Sequence, residues 1–222
     1  MSTVERGPTT CPTFIYVEDF LDEDQRWNLE ERLDGIPVTS VDDPERDLRL
    51  NLAHPLIDGV TVSTRLEGSA GAPVWRSAVT TGPPMPTFLV DLGRDVRRVV
   101  RKLTGDDHDF TSVYIDRFDA GGSFVPHTDR PCYGPLVAGV SVGASSCLLR
   151  FEDPTSGRAF QVQVRPGALY LFCDEIRRPP WVHSTSEVTG RRWVVTLRTA
   201  AHAPGPDDRA PAGDHGASPA EG

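Results

Sequence analysis

The second half of the chain is a succession of short β-type segments with no helical pattern between them. Turn signals such as DAGG, TSGR and VTGR separate these segments. Many short strands at this spacing favour two antiparallel sheets that close into a barrel. The sequence therefore predicts a mainly β fold with flanking helices (α+β), a double-stranded β-helix of jelly-roll or cupin-like type. The segments are FTSVYIDRF, GPLVAGVSVG, CLLRFED, AFQVQVRPG, ALYLFCD, PWVHSTSEV and RRWVVTLRT.

Two helices are predicted before this region, and we expect them to cap the barrel. The alternating segment TFIYVEDFL runs into a helix that begins at Asp22 and ends at Gly35. A second helix follows in PTFLVDLGRDVRRVVRKLTG, where apolar residues recur at helical spacing and Gly105 ends the helix. Its arginines fall mainly off the apolar stripe, which favours a solvated face over a nucleic-acid contact. Residues 37–86 are rich in Gly, Pro, Ser and Thr, and they predict loops and short strands.

The chain has 222 residues, which suits one domain with loose ends. We expect a flexible N-terminus at 1–12, one folded domain at 13–200, and a disordered tail rich in Pro, Gly and Asp at 201–222. No apolar run is long enough to cross a bilayer, and the first residues do not resemble a secretory signal. A cytoplasmic protein with four reduced cysteines is therefore expected.

The net charge is −9 and the pI is near 5.1, so the molecule repels polyanions at long range. This charge weighs against tight binding to long nucleic acid, and it excludes no small substrate.

A candidate metal site centres on the fragment HTD, in which His127 and Asp129 are two positions apart. In a strand such positions face the same side, so both side chains can reach one point while Thr128 faces away. His183, in PPWVHS, is a candidate third ligand from a distant strand. Two histidines and one carboxylate form the facial triad that leaves positions open on iron(II). The H-x-D pair alone is common, and turn backbone could equally well satisfy both groups.

Two arginines support an anionic ligand beside this site. Arg192 and Arg198 are six positions apart in one predicted strand and therefore share a face. Guanidinium groups bind carboxylates at two points, and a buried arginine without an anion is costly. The alternative is that both arginines point outward from an amphipathic edge strand.

From about Phe14 to Thr199 the chain resembles the AlkB family of iron(II)- and 2-oxoglutarate-dependent dioxygenases. The matching motifs are RFDAGGSFVPHTDRP, VAGVSVGASSCLLRFED, PGALYLF, RRPPWVHS and the closing R-x-x-x-x-x-R of RWVVTLR. The resemblance implies that iron lies on His127, Asp129 and His183. It further implies that Arg192 binds the C5 carboxylate of 2-oxoglutarate and that its C1 end lies near Arg198.

The chain departs from the family in the strand before the metal motif, where many members carry Asn and Tyr. Here the equivalent positions are Asp116 and Phe118, and Phe118 has no hydroxyl to donate. Tyr170 resembles a tyrosine that a relative uses for the C5 carboxylate, so we expect its hydroxyl to replace the missing donor. A carboxylate at Asp116 would be repelled by the co-substrate unless it were paired, by Arg117 or Arg192. Trp181 either walls the pocket or packs in the core.

The resemblance implies an oxidoreductase that uses Fe(II), 2-oxoglutarate and O2 to hydroxylate a C–H bond. If the carbon is bound to nitrogen, the product loses formaldehyde, which is how AlkB-like enzymes dealkylate nucleobases. Two alternatives stay open: a hydroxylase of a small molecule, amino acid or peptide, and a non-catalytic barrel-type binding domain. The expected partners are 2-oxoglutarate and an organic substrate, with no membrane.

Overall fold

The computed structural model describes residues 4–6, 14–36, 49–55, 61–67, 74–80, 86–108, 110–129 and 133–200. These residues form two α-helices, one 3-10 helix and twelve strands. The helices are α1 (Glu23–Asp34) and α2 (Thr87–Thr104), and the 3-10 helix is Asp174–Arg177. The first strands are β1 (Val4–Arg6), β2 (Phe14–Val17), β3 (Arg49–Pro55), β4 (Thr61–Glu67), β5 (Val74–Thr80) and β6 (Phe110–Phe118). The later strands are β7 (Tyr133–Gly143), β8 (Cys147–Asp153), β9 (Arg158–Val164), β10 (Leu169–Cys173), β11 (Val182–Thr185) and β12 (Arg192–Ala200).

The start of α1 and the end of α2 follow from local chemistry, as predicted. Asp22 accepts a hydrogen bond from the Gln25 amide at 2.8 Å, and the Gln25 side chain accepts one from the Asp22 amide at 3.0 Å. This capping box satisfies two amides that the first turn leaves without helical partners. Gly105 ends α2 at φ 84°, a left-handed conformation that glycine adopts without steric cost.

The strands pair antiparallel in three sheets. The large sheet has the order β1-β2-β10-β7-β12-β6-β3, the small sheet has the order β11-β8-β9, and β4 pairs with β5. Each predicted segment from Phe110 onward is a strand. The segment predicted as loops and short strands contributes β3, β4 and β5, of which β3 joins the large sheet beside β6.

The large sheet has an apolar core on each face. On one face, Leu89 and Val96 of α2 and Leu33 of α1 pack with Val195 and Leu197 of β12. On the other face, the core residues of the large and small sheets form one cluster, including Val194, Phe151 and Tyr170. Side chains therefore alternate along β12 between the helical layer and the barrel interior.

The fold is mainly β and antiparallel, as predicted, and the capping role of the helices stays a prediction. Val4–Arg6 pairs with β2 although it lies in the segment expected to be flexible. The rest of 1–12 and the tail 201–222 lie outside the described residues, so the domain boundaries stay predictions. Neither described helix is long and apolar enough to cross a membrane, and the cytoplasmic address stays a prediction. Cys147 and Cys173 form no disulfide in the part of the chain that the structure describes.

Candidate metal centre

A single backbone bridge brings the two histidines together. The His127 amide donates to the His183 carbonyl at 3.0 Å, and the His183 amide donates back to His127 at 2.8 Å. His183 lies in β11, but His127 and Asp129 lie in an extended segment outside the named strands. The prediction that HTD lies in a strand was therefore wrong, because only one residue pair, His127 with His183, forms a β-bridge. The alternation that it relied on is present, since Thr128 turns away and donates its hydroxyl to the Trp181 carbonyl at 2.8 Å.

The three predicted ligands converge on one point. One ligand atom from each of His127, Asp129 and His183 lies within 4.8 Å of the others. The Nδ1 atom of His127 lies 2.8 Å from the Val125 carbonyl oxygen. Because a carbonyl only accepts, Nδ1 carries the proton and Nε2 keeps a lone pair for a metal.

Asp129 presents one engaged and one open carboxylate oxygen. Its Oδ1 accepts from Arg198 Nη2 at 2.7 Å, while its buried Oδ2 has no hydrogen-bond partner among the residues that the structure describes. Burial raises the pKa of the Asp129 carboxyl, but the Arg198 charge, the two histidines and Arg177 outweigh it and hold the pKa below its usual value. The carboxylate is therefore ionised, with one oxygen available to a cation.

His183 is kept neutral, which is the form that binds a metal. Burial is the main cause, with a contribution from His127, and it lowers the pKa of His183 to about 3. The imidazole packs against the rings of Phe172 and Phe151, with centroids at 5.1 Å and 5.8 Å. These contacts fix the ring orientation and limit the access of water.

The donor set fits iron(II). Two neutral imidazoles and one carboxylate suit a divalent transition metal, and three side-chain ligands leave coordination positions open. Such a site requires a carboxylate oxygen open to the metal, which Asp129 Oδ2 provides, and a neutral imidazole with a lone pair, which His127 provides through Nε2.

Arg192 forms a second buried polar group on the same inner face. The residue is 1% exposed, and its Nε donates to Ser141 Oγ at 3.0 Å. The guanidinium lies 5.8 Å from the Phe118 ring centroid and donates to the Tyr170 hydroxyl. The structure thus brings Arg192 and Tyr170 together, as predicted. Burial is the main reason that the pKa of Tyr170 is raised to about 12, so its hydroxyl stays protonated and able to donate.

Gly139 leaves the space that the Tyr170 ring occupies. The two residues are cross-strand partners, and a Cβ at Gly139 would lie 2.1 Å from Tyr170 Cζ and 2.3 Å from its hydroxyl oxygen. No side chain fits there unless the tyrosine moves.

Gly139→Ala is therefore expected to displace Tyr170 and to lower the free energy of unfolding by about 1–3 kcal/mol, the usual cost of overpacking. Urea denaturation measures this change. Gly35→Ala is the matched control, because its Cβ would meet only ordinary contacts at 3.4 Å and its φ is −78°. If Gly139→Ala and Gly35→Ala were equally stable, the Tyr170 ring could move aside without a cost in stability.

Arg198 lies at the metal centre rather than beside Arg192. Besides its bond to Asp129, its guanidinium lies 4.5 Å from the Tyr114 ring centroid. The outward-facing alternative for the two arginines is wrong, since Arg192 is buried and Arg198 contacts a candidate ligand. The roles predicted for both toward 2-oxoglutarate stay predictions.

Three further predictions have mixed outcomes. Asp116 is 3% exposed, and Arg117 is on the opposite face of β6, against Asp119 and Trp193; Arg117 is therefore not its partner. Trp181 is 2% exposed and packs with Phe160 at 6.2 Å, which supports the core role. Cys132 and Tyr133 follow the metal motif, where the sequence predicts either an entrance lining or an ordinary loop, and their side chains lie outside the described residues.

Sequence reasoning missed Arg177, Ser141 and Gly139. Arg177, in the 3-10 helix, is 3% exposed, and its charge acts on Asp129 and His183. The only signal was the Arg-Arg-Pro-Pro run, which reads equally well as a solvated turn. Ser141 carries no signal of its own, whereas a glycine inside an apolar strand, such as Gly139, is a general sign that another group approaches closely.

The chain matches no family model, and no curated protein matches it by sequence. Solved structures resemble it in fold. OsALKBH1 has a TM-score of 0.60 at 15% identity, over 85% of this chain and 98% of that chain. A 2OG-Fe(II) oxygenase family protein from Burkholderia pseudomallei has a TM-score of 0.56 at 14% identity, over 86% of this chain and 85% of that one. A Pseudomonas putida prolyl-4-hydroxylase has a TM-score of 0.52 at 12% identity, over 86% and 94%. At these identities the likeness shows the fold, the jelly roll of the 2OG-Fe(II) oxygenases.

Proposed function

We propose that this chain, which has the 2OG-Fe(II) oxygenase fold, is an AlkB-like dioxygenase that hydroxylates a C–H bond with Fe(II), O2 and 2-oxoglutarate. The observation that carries the proposal is the convergence of His127, Asp129 and His183, with an open Asp129 oxygen, on the inner face that also holds Arg192. Fold alone does not specify function, so this convergence is the support.

Bound iron with 2-oxoglutarate would supply an oxidant for an unactivated C–H bond, coupled to decarboxylation of the co-substrate to succinate. The chain's own groups would bind and orient. Arg192 and the Tyr170 hydroxyl would hold the distal carboxylate, and Ser141 would fix the guanidinium through its Nε. Arg198 would hold Asp129 in place and lie near the C1 end of the co-substrate. The aromatic rings around His183 would keep bulk water away.

Oxidative dealkylation of an alkylated nucleobase is one candidate reaction, and the family resemblance favours it. Such an enzyme must hold a flipped base and neutralise phosphates beside it. The net charge of −9 opposes long nucleic acid. We therefore infer that any base substrate belongs to a short or single nucleotide.

Hydroxylation of a small molecule, amino acid or peptide is the second candidate. The acidic surface tolerates such substrates, and one structural neighbour is named a prolyl-4-hydroxylase. A non-catalytic binding domain is the third reading. It is disfavoured because a barrel without chemistry has no need for an intact triad and a buried arginine pocket.

Anaerobic titration of the protein with iron(II) and then 2-oxoglutarate tests the proposal. A weak visible charge-transfer band should appear only when both are present, because the co-substrate chelates the metal. Failure of the band to appear with saturating iron and 2-oxoglutarate would refute the oxygenase assignment.

Succinate production then separates the substrate candidates. Methylated oligonucleotides, methylated nucleosides and a panel of amino acids and peptides are compared at low and high salt. An enzyme that acts on nucleic acid should lose affinity steeply as salt rises, whereas one that acts on a small neutral substrate should not.

A further inference from the structure

The pocket around Arg192 lies where three strands of the large sheet end together. Arg192 is the first residue of β12, and it pairs with Phe118 and Gly143, the last residues of β6 and β7. One backbone bond continues the pairing, from the Ala144 amide to the Arg191 carbonyl at 2.9 Å. The ends of a ladder open more easily than its middle, so the position of the Arg192 side chain depends on what fastens the strand there.

Both neighbours of Arg192 point to the opposite face of the sheet, where α1 lies. Trp193 packs in the core on the helical side, and Arg191 forms an ion pair with Asp34, the last residue of α1. Arg192 itself faces the barrel, where its guanidinium lies 5.8 Å from the Phe118 ring centroid. Because side chains alternate along a strand, a contact on the helical face also fixes the backbone of the residue that points inward.

Asp34 holds the indole of Trp193. The Trp193 Nε1 atom donates to Asp34 Oδ1 at 3.1 Å, and Trp193 is 1% exposed. A buried N–H without an acceptor is costly, so this bond determines how the indole is oriented. The ion pair of Asp34 with Arg191 contributes little by comparison, because both side chains are largely open to water.

We propose that Asp34 is a positioning residue for co-substrate binding. Through its bond to Trp193 it fastens the start of β12, and the fixed backbone keeps the Arg192 guanidinium aligned with Ser141 and with the distal carboxylate of the co-substrate. Two-point binding of a carboxylate requires such alignment, so the affinity depends on a helix on the other face of the sheet. The inference rests on the proposed function, since it concerns the co-substrate of the same site.

The direction of the expected effect separates positioning from charge. Asp34 is an anion, so by charge alone its removal would strengthen the binding of a dianionic ligand. Loss of positioning weakens that binding instead. We expect Asp34→Ala to weaken 2-oxoglutarate binding by about fivefold, the scale of one hydrogen bond. Calorimetry on the protein loaded with Mn(II) in place of iron measures the dissociation constant without turnover.

A ligand without the distal carboxylate tests whether Arg192 transmits the effect. 2-Oxobutyrate keeps the 2-oxo acid end that chelates a metal, and it has no second carboxylate for Arg192 to bind. Its dissociation constant is measured by competition with 2-oxoglutarate. In Asp34→Ala this constant should change by less than about twofold.

Two further variants test the bond to Trp193 as the route. Asp34→Asn removes the charge but keeps an acceptor oxygen for the indole, so 2-oxoglutarate binding should stay within about twofold of wild type. Trp193→Phe removes the donor and should weaken 2-oxoglutarate binding alone, as Asp34→Ala does. The double variant should bind no more weakly than Trp193→Phe, because both changes remove one bond. Trp193→Phe also decides the matter if Asp34→Ala does not fold.

Asp24→Ala is the matched control. It makes the same charge change in the exposed first turn of α1, and it should leave both dissociation constants unchanged.

Three results would overturn the inference. The first is unchanged or tighter 2-oxoglutarate binding in Asp34→Ala. The second is equal weakening of 2-oxoglutarate and 2-oxobutyrate, which would mean a general loss of the site. The third is equal weakening in Asp34→Asn and Asp34→Ala, which would assign the effect to the ion pair with Arg191. Wild-type protein that binds neither Mn(II) nor 2-oxoglutarate would contradict the proposed function itself, before any variant is compared.

Discussion

Asp129→Ala is expected to abolish iron binding and succinate production. The change removes the one carboxylate of the triad, whose buried Oδ2 is the oxygen open to a metal. Loss of a group that merely supports a metal ligand typically costs 10–100-fold in affinity, so loss of a ligand should exceed about a hundredfold. Anaerobic Fe(II) calorimetry measures the affinity, and the absence of succinate above background reports turnover.

The same substitution should also destabilise the metal-free protein, because Arg198 loses the carboxylate that neutralises it. Removing one partner of a buried ion pair costs about 3–5 kcal/mol. The low end is expected here, since the Arg198 side chain is 14% exposed and still lies against the Tyr114 ring. Urea denaturation in the presence of a chelator measures this change separately from metal binding.

Thr128→Val is the matched control for both measurements. Thr128 lies between the two ligands, but its hydroxyl donates to the Trp181 carbonyl and faces away from the centre. We expect a loss of stability of about 1 kcal/mol and unchanged iron affinity. Equal loss of metal binding in the two variants would mean that the backbone of the segment, rather than Asp129, determines the site.

The strands and helices could be predicted because local signals and tertiary packing agree in this chain. Asp22 begins α1 and Gly105 ends α2, at the positions that the sequence pattern predicts. Each segment from Phe110 onward forms a strand. In the large sheet both faces are buried, which favours continuous apolar residues, whereas β8 of the small sheet alternates between buried and less buried residues. Strand order could not be predicted, because β10 lies between β2 and β7, which are distant from one another in sequence.

The candidate site was predictable in its residues but not in its contacts. The H-x-D spacing indicated which side chains could meet, yet only the structure shows that His127 bridges directly to His183 through the backbone. The pairing of Arg198 with Asp129 depends on how far inside the barrel the two side chains lie. Sequence spacing does not indicate that position. Glycine is required at position 139 because the ring of Tyr170, its cross-strand neighbour, fills the space that a side chain would take. Which residues are cross-strand neighbours depends on strand register.

Arg192→Ala is expected to weaken 2-oxoglutarate binding by about thirtyfold or more while leaving metal affinity nearly unchanged. The guanidinium is buried, and loss of a buried charged partner for an anion costs about 2–5 kcal/mol of binding. The three candidate ligands do not contact Arg192 in the described hydrogen bonds, so the metal site should persist. Calorimetry with Mn(II) gives both affinities on one sample.

Arg192→Lys and Arg191→Ala make the result specific to the guanidinium of Arg192. Lysine keeps the charge but cannot bind Ser141 and a carboxylate in the same planar arrangement, so it should recover only part of the affinity. Arg191 is exposed and pairs with Asp34 on the helical side, and its removal changes the net charge equally without touching the pocket. If Arg191→Ala weakened 2-oxoglutarate binding as much as Arg192→Ala does, the attraction would be a property of overall charge. An undiminished affinity in Arg192→Ala would place the distal carboxylate elsewhere in the barrel.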